Sequence, residues 1–192
     1  MDSMIVSVQV TPDILQHICP RTKHELLVGY TPYLQQSLEL AEAISPLRAA
    51  AFLAQLAFET NWFQTMVEEV CPDNTVTIPF DKYEGAHRLG NSQPGDGSKF
   101  IGRGWPQITG RANYTECGTA LGLDLVNKPE DAALPQNAAR IAAWYWLKKD
   151  LNPPADAGDM ITITKRINGG LNGLAYRQAA YQHAKEAFGL PS

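Results

Sequence analysis

Glu59 stands in the run QLAFETNWF, at the end of the most apolar stretch of the chain. Ala51, Phe52, Leu56 and Phe63 surround it at helical spacing. A carboxyl against such side chains is partly desolvated, and desolvation favours its protonated form. That is what a general acid needs near neutral pH. The competing reading is an ordinary Glu in a solvated last turn.

Acid catalysis of glycoside hydrolysis calls for a second carboxylate, and Glu68, Glu69 and Glu84 are the nearby candidates. On an unbroken helix, nine positions amount to about 900° of rotation and ~13.5 Å of rise, so Glu59 and Glu68 would face opposite ways. The pair works only if the helix ends near Trp62–Met66 and the chain turns back. Thr65, Val67 and Cys71–Pro72 permit that turn. A carboxyl separation of roughly 6.5–9.5 Å would leave room for a water and an inverting reaction. Solvated helix-end acids are the plain alternative.

Two further constellations carry polar groups among glycines. In FIGRGWPQIT (100–109), Gly102 and Gly104 allow close backbone approach, and Arg103 can grip a carboxylate with two hydrogen bonds. Gln107 offers donor and acceptor, and Trp105 a flat face for a sugar. A tight turn into a helix capped by Thr109 would read the same way. In INGGLNG (167–173), Asn168 and Asn172 are neutral partners of the kind used on hydroxyls, or parts of a helix–turn–helix link.

Other chemistries lack their signatures. The phosphate-loop ending GK[ST], GxGxxG, HExxH and GxSxG are all absent, and His17, His24, His87 and His183 have no metal-site spacing. No metal and no organic cofactor is expected. Cys19, Cys71 and Cys117 are odd in number and far apart, which predicts buried free thiols in a reducing compartment.

These residues need a frame. At 192 residues, 44% hydrophobic and 19% charged, the chain suits one ordinary globular domain. A net charge of −4 argues against a nucleic-acid binder, and no apolar run approaches a membrane span. The N-terminus shows no signal peptide. Residues 1–96 carry five Lys/Arg against twelve Asp/Glu, and residues 97–192 carry eleven against eight. Such halves could line two sides of a cleft, or the asymmetry could be chance.

Helix signals dominate the pattern. Thr11–Pro12, Thr31–Pro32 and Ser45–Pro46 each place a cap before a first-turn proline. Thr22 and Glu25 match a capping box, with Gly29 as a stop. The run LRAAAFLAQLAFETNWF is apolar nearly all round and predicts a central buried helix. Helices are also expected over 110–121, 136–149, 162–167 and 174–188, with Pro153–Pro154 as a separator. Between Cys71 and Trp105 lie three Pro and six Gly in turn-rich pieces, an irregular layer of the sort that usually serves function. The expected fold is mostly α, a helical domain with an irregular loop layer around a substrate cleft.

Four motifs in order give this chain a resemblance to glycoside hydrolase family 19, the chitinase-like fold, and within it to lysozyme-like phage endolysins. AQLAFET (54–60) resembles the family's AQxxHET helix. YEG (83–85), LGN (89–91) and QPGDG (93–97) are similar to its YEGRxxLGNxxPGDG loop. GRG (102–104) with QITGRANY (107–114) is similar to GRGxxQLTGRxNY, and INGGLNG (167–173) to INGGxNG. The resemblance runs from about residue 49 to residue 188.

The resemblance implies Glu59 as general acid, with Glu68 as the second carboxylate and Glu84 as its rival. It implies Thr109 as the holder of the catalytic water. Gln107, Asn113 and Asn168 match substrate-contacting positions, and Arg103 a cleft-organising one. Phe58 replaces the usual His, Asn61–Trp62 stand where glycines are common, Ala86 where an Arg is usual, and Trp105–Pro106 replace a more aliphatic pair.

The whole chain is expected to be one catalytic domain, with 1–45 as an N-terminal helical segment and 46–192 as the family core. The implied substrate is an N-acetylated aminosugar polymer, with peptidoglycan glycan strands expected first. A monomer without membrane insertion is expected, accumulating in a host cytoplasm before release to the periplasmic wall. A chitinase is the rival of the same class. A cell-wall-binding module or an injected toxin domain is the rival of another.

Overall fold

A computed structural model describes residues 8–68 and 81–191. Glu69, Cys71, Pro72 and Pro79, which enter the reading above, lie outside the described residues.

The Ser/Thr–Pro signals place two helix starts. Thr11 accepts a hydrogen bond from the Ile14 amide and opens α1 (Pro12–Ile18). Ser45 does the same for the Arg48 amide at the start of α3 (Pro46–Glu59). The third signal does not start a helix. α2 (His24–Leu40) runs unbroken through Gly29, Thr31 and Pro32. Its N-cap is Lys23, because the Thr22 hydroxyl donates to the Trp62 carbonyl instead. Thr31 donates back to the Leu27 carbonyl, and burial of Leu27, Leu34, Ser37 and Leu38 along one face outweighs the local break at Pro32.

The remaining helices are α4 (Asp96–Lys99), α5 (Arg111–Leu121), α6 (Pro135–Lys148), α7 (Asn152–Asp156), α8 (Met160–Asn168) and α9 (Leu174–Ala187). α7 contains Pro153–Pro154, which the sequence suggests as a separator. Proline at the start of a helix gives up only an amide that has no partner there anyway. Gly110, not Thr109, precedes α5, with a backbone conformation of φ +89°. Among the described residues there is no strand, only isolated bridges of Arg103 with Val67 and Ile108. The fold is mostly α, as expected.

α3 is the central helix. Every residue from Ala49 to Ala57 is buried, so the helix is enclosed on all sides as its composition predicts. It lies against α9 and α7, while α2 packs on α6 and α1 bridges α2 and α9. Its alanines let neighbours approach closely, and Phe52 meets Trp146 of α6 edge-on at 5.0 Å. A second, smaller core of Phe100, Ile108, Tyr114, Cys117, Leu125, Ala132 and Ile141 lies between α5, α6 and the loops before them.

Cys19 and Cys117 are free and buried, and burial pushes each thiol up to about 12.

Candidate active site

α3 ends on Glu59 itself, earlier than the turn anticipated at Trp62–Met66. Thr60 caps it, donating its hydroxyl to the Leu56 carbonyl and accepting the Phe63 amide. The chain then reverses through Asn61, Trp62 and Phe63, three successive residues with φ between +47° and +62°. Beyond that reversal the chain runs to Glu68, whose amide meets the Gly102 carbonyl.

Glu59 is not in a purely apolar setting. Its side chain is 23% exposed, and its Oε1 accepts from Nη2 of Arg177 on α9 at 2.5 Å. Arg177 is 2% exposed, lies 4.2 Å over the Phe58 ring, and donates to the Gln55 side chain and to the Asn172 carbonyl. Sequence reasoning missed Arg177 because the contact spans 118 positions. A signal existed: Arg177 falls on the same helical stripe as the buried Ala180, Tyr181 and Ala184. Glu59 Oε2 has no partner among the described residues. Tyr145, donating to the Ile167 carbonyl at 2.9 Å, lines the same narrow cleft as Glu59, Pro106 and Ile167. Burial first, and the Glu59 charge second, push the Tyr145 phenol up to about 12.

Glu68 is held differently. Its Oε1 accepts from Lys82 Nζ and from the Tyr83 hydroxyl, both at 2.9 Å, and its Oε2 from the Gly102 amide at 3.1 Å. The Glu68 amide donates in turn to the Gly102 carbonyl at 2.8 Å. Glycine at 102 leaves room for two side-chain ends: a Cβ would sit 2.9 Å from Gln107 Oε1 and 3.2 Å from Glu68 Oε2, so either would have to shift. Gln107 therefore lies beside the Glu68 carboxylate.

Glu84 has both oxygens engaged, accepting from the Gly95 and Gly97 amides at 2.8 Å each. This staples the loop layer to itself. Asp96 and Arg111 pin it further. Asp96 is buried, accepts the Ser92 and Gln93 amides, and pairs with Arg111 through both its oxygens. The Arg111 guanidinium holds the Asp96 carboxyl below its usual range.

The 102–109 loop joins the two acids. The Gly104 amide donates to the Met66 carbonyl, Gly102 meets Glu68, and Pro106 reaches the Glu59 cleft. Thr109 donates to the Gln107 carbonyl at 3.2 Å and is half-buried. Asn113 donates to the Thr109 carbonyl at 2.7 Å. Among the described residues Arg103 grips no carboxylate; it donates to the Lys99 carbonyl and the Tyr114 hydroxyl. Asn168 is exposed and folds the INGGLNG turn, donating to the Asn172 carbonyl and accepting the Gly170 amide.

Trp105 does not serve as a sugar platform. It is fully buried, with Tyr30 and Phe63 edge-on at 5.7 and 6.4 Å. The large indole gains more by filling the core next to α2 than by facing solvent.

Among the described residues no cluster of His, Cys, Asp and Glu could hold a metal ion, and no helix is long and apolar enough to cross a membrane.

In this mostly helical fold α3 ends on one carboxylate, Glu59, and the 102–109 loop reaches from its surroundings at Pro106 to a second, Glu68, at Gly102. Residues 45–169 match the glycoside hydrolase family 19 pattern described as chitinase class I. A "Glycosyl hydrolase family 19 domain-containing protein" of Haemophilus influenzae is 31% identical over 178 residues, which cover 80% of this chain and 86% of that protein. The chain belongs to glycoside hydrolase family 19 and is a glycoside hydrolase. The endochitinase EP3 of Arabidopsis thaliana is 32% identical over 130 residues, covering 64% of this chain and 41% of the plant protein. The fold is that of a chitinase C variant, with a TM-score of 0.71 at 20% identity over 100% of this chain and 96% of that one. A bacterial family 19 chitinase superposes with a TM-score of 0.67 at 22% identity, covering 98% and 97%.

Proposed function

We propose that this glycoside hydrolase is an endolysin-type enzyme that cuts β-1,4 glycosidic bonds in the glycan strands of bacterial peptidoglycan, with inversion. The observation that carries the reading is the contrast in how Glu59 and Glu68 are held. Glu59 is anchored by one oxygen to Arg177, which leaves Oε2 to carry a proton to the glycosidic oxygen. Glu68 is fixed as an acceptor by three donors, and each carboxylate oxygen has two lone pairs, so Oε2 retains one for water.

In the reaction the bond from the anomeric carbon to the bridging oxygen breaks as Glu59 protonates that oxygen. Water attacks the anomeric carbon from the opposite face and delivers its proton to Glu68. Thr109 steadies that water, and Gln107, beside Glu68, orients the sugar. Glu84, whose two oxygens hold loop amides, serves the layer rather than the water.

The nine-residue spacing of the acids and the YEG, LGN and QPGDG pieces favour the peptidoglycan branch. Chitin is the second reading, favoured by relatives whose names are endochitinase, of which the chain spans less than half the length. Accumulation in a host cytoplasm before release to the wall belongs to the same proposal.

The decisive experiment is clearing of purified Gram-negative sacculi by wild type and Glu59→Gln. Loss of general acid catalysis predicts a rate lower by about 10²–10⁴-fold. A variant that clears at the wild-type rate sinks the assignment, and release from chitin oligomers without release from sacculi moves it to the second reading. An α-anomeric product in early NMR spectra marks inversion.

A further inference from the structure

Beyond the two acids, a cavity of ligand size lies next to the end of α3. It measures about 460 Å³ and is lined by Cys19, Pro20, Arg21, Asn61, Trp62, Gln64, Tyr176 and His183. That falls within the range of small-molecule sites. We infer that this cavity is a binding site for the carboxylate-bearing peptide stem of a muramyl residue, with Arg21 as the anion receptor and Trp62 and Tyr176 as walls. The inference rests on the peptidoglycan reading and names the feature that would separate it from chitin.

The walls are built at some cost. Asn61, Trp62 and Phe63 are three consecutive non-glycine residues in the left-handed region, at φ +47°, +62° and +60°. Such conformations are disfavoured for side-chain-bearing residues and persist where the surroundings over-determine them, often at ligand clamps. Trp62 is over-determined here: its amide donates to the Ala57 carbonyl, and its carbonyl accepts the Thr22 hydroxyl, both at 2.5 Å. Glycines would hold this turn without strain but would supply no side chains to the cavity.

Tyr176 faces them from α9. It is 67% exposed yet ordered, stacked on Phe58 at 6.4 Å and 24°. Tyr176 and Trp62 are thus tied to Phe58 and Ala57, in the last turn of α3 that ends on Glu59.

The polar lining selects charge. Arg21 is exposed and forms no ion pair or side-chain hydrogen bond among the described residues. No Asp or Glu lines this cavity, and the Cys19 thiol, pushed up to about 12 by burial, contributes no negative charge. Nδ1 of His183 is buried without a hydrogen-bond partner. Asp13 and Glu186 line an adjoining groove that shares Pro20 and His183, where Glu186 is paired with His17 at 3.5 Å. An unpaired guanidinium beside amides and aromatic rings fits a carboxylate on a sugar-linked chain and gives nothing extra to a neutral sugar. Chitin carries no such group, whereas a muramyl peptide carries several.

Calorimetric titration with two soluble ligands tests this: a muramyl disaccharide tetrapeptide, and the same disaccharide without its peptide. In wild type the peptide-bearing ligand should bind about tenfold tighter. Arg21→Gln, a surface change that should leave the fold intact by circular dichroism, should remove that advantage and leave affinity for the bare disaccharide unchanged. Trp62→Ala, which removes a wall of the same cavity, should weaken the peptide-bearing ligand and not the bare disaccharide. Equal binding of the two ligands by wild type, no detectable binding of the peptide-bearing one at millimolar concentration, or an Arg21→Gln that weakens both alike overturns the inference. Clearing of sacculi by wild type is scored separately. Discrimination without clearing removes the catalytic proposal and keeps the site, and clearing without discrimination does the reverse.

Discussion

The α3–α9 bundle and the 81–111 loop layer each hold a carboxylate, by opposite means. Around Glu59 the frame is helix packing, with nine buried residues of α3 wedged among α6, α7 and α9. Around Glu68 the frame is polar, with amide donors, the Glu84 staple and the buried Asp96–Arg111 pair in place of a thick core. Packing resists displacement in every direction, whereas hydrogen bonds set direction sharply but depend on the charge state of their partners. In the proposed reaction, an acid that must only stay put and an acceptor that must aim at a water have different needs.

That difference can be broken from either side. Phe52→Ala, which empties the bundle beside Trp146, should cost about 3–5 kcal/mol, read as a fall in the urea midpoint that is nearly the same at pH 4 and pH 7. Asp96→Asn leaves the half-buried Arg111 against a neutral partner and should cost about 2 kcal/mol at pH 7. Its pH behaviour separates the two regions. Because the folded-state pKa of Asp96 is depressed by Arg111, its stabilisation is full above the ordinary aspartate range and is lost as pH falls through and below about 4. Wild type should therefore lose stability over that interval, and Asp96→Asn should lose measurably less. A parallel decline in the two proteins contradicts the assignment.

A smaller effect is expected at Gly102→Ala. The new Cβ meets Gln107 Oε1 and Glu68 Oε2 while the fold around it survives. Displacing the acceptor by a fraction of an ångström should lower kcat by about 10- to 100-fold with little change in the thermal midpoint. Equal activity would show that Glu68 is not aimed by this amide.

The contrast also explains what could be read in the sequence. The helical class, the central α3 and two of three Ser/Thr–Pro starts are local features, and local chemistry decides them. α2 escaped because the burial of Leu27, Leu34 and Leu38 carries the helix through Gly29 and Pro32, and burial is not a local property. Trp105 escaped for the same reason, since its two aromatic neighbours come from 75 and 42 positions away. The positions of Glu59, Glu68 and Gln107 came from motif and spacing, but the groups that hold them did not. Arg177, Lys82 and Tyr83 reach the acids across turns that no periodicity encodes.

Glu59 and Arg177 also fix an order of events in synthesis. The acid leaves the ribosome 118 residues ahead of its guanidinium partner. At about 5–20 residues per second, that is a delay of roughly 6–24 s, during which α3 exists without the helix it is built to meet. The long apolar run around Glu59 must wait through this interval, and the cleft closes only when the ninth helix docks. The Glu59–Arg177 pair is thus among the last parts of the molecule to be completed, although its first residue is made well before its partner.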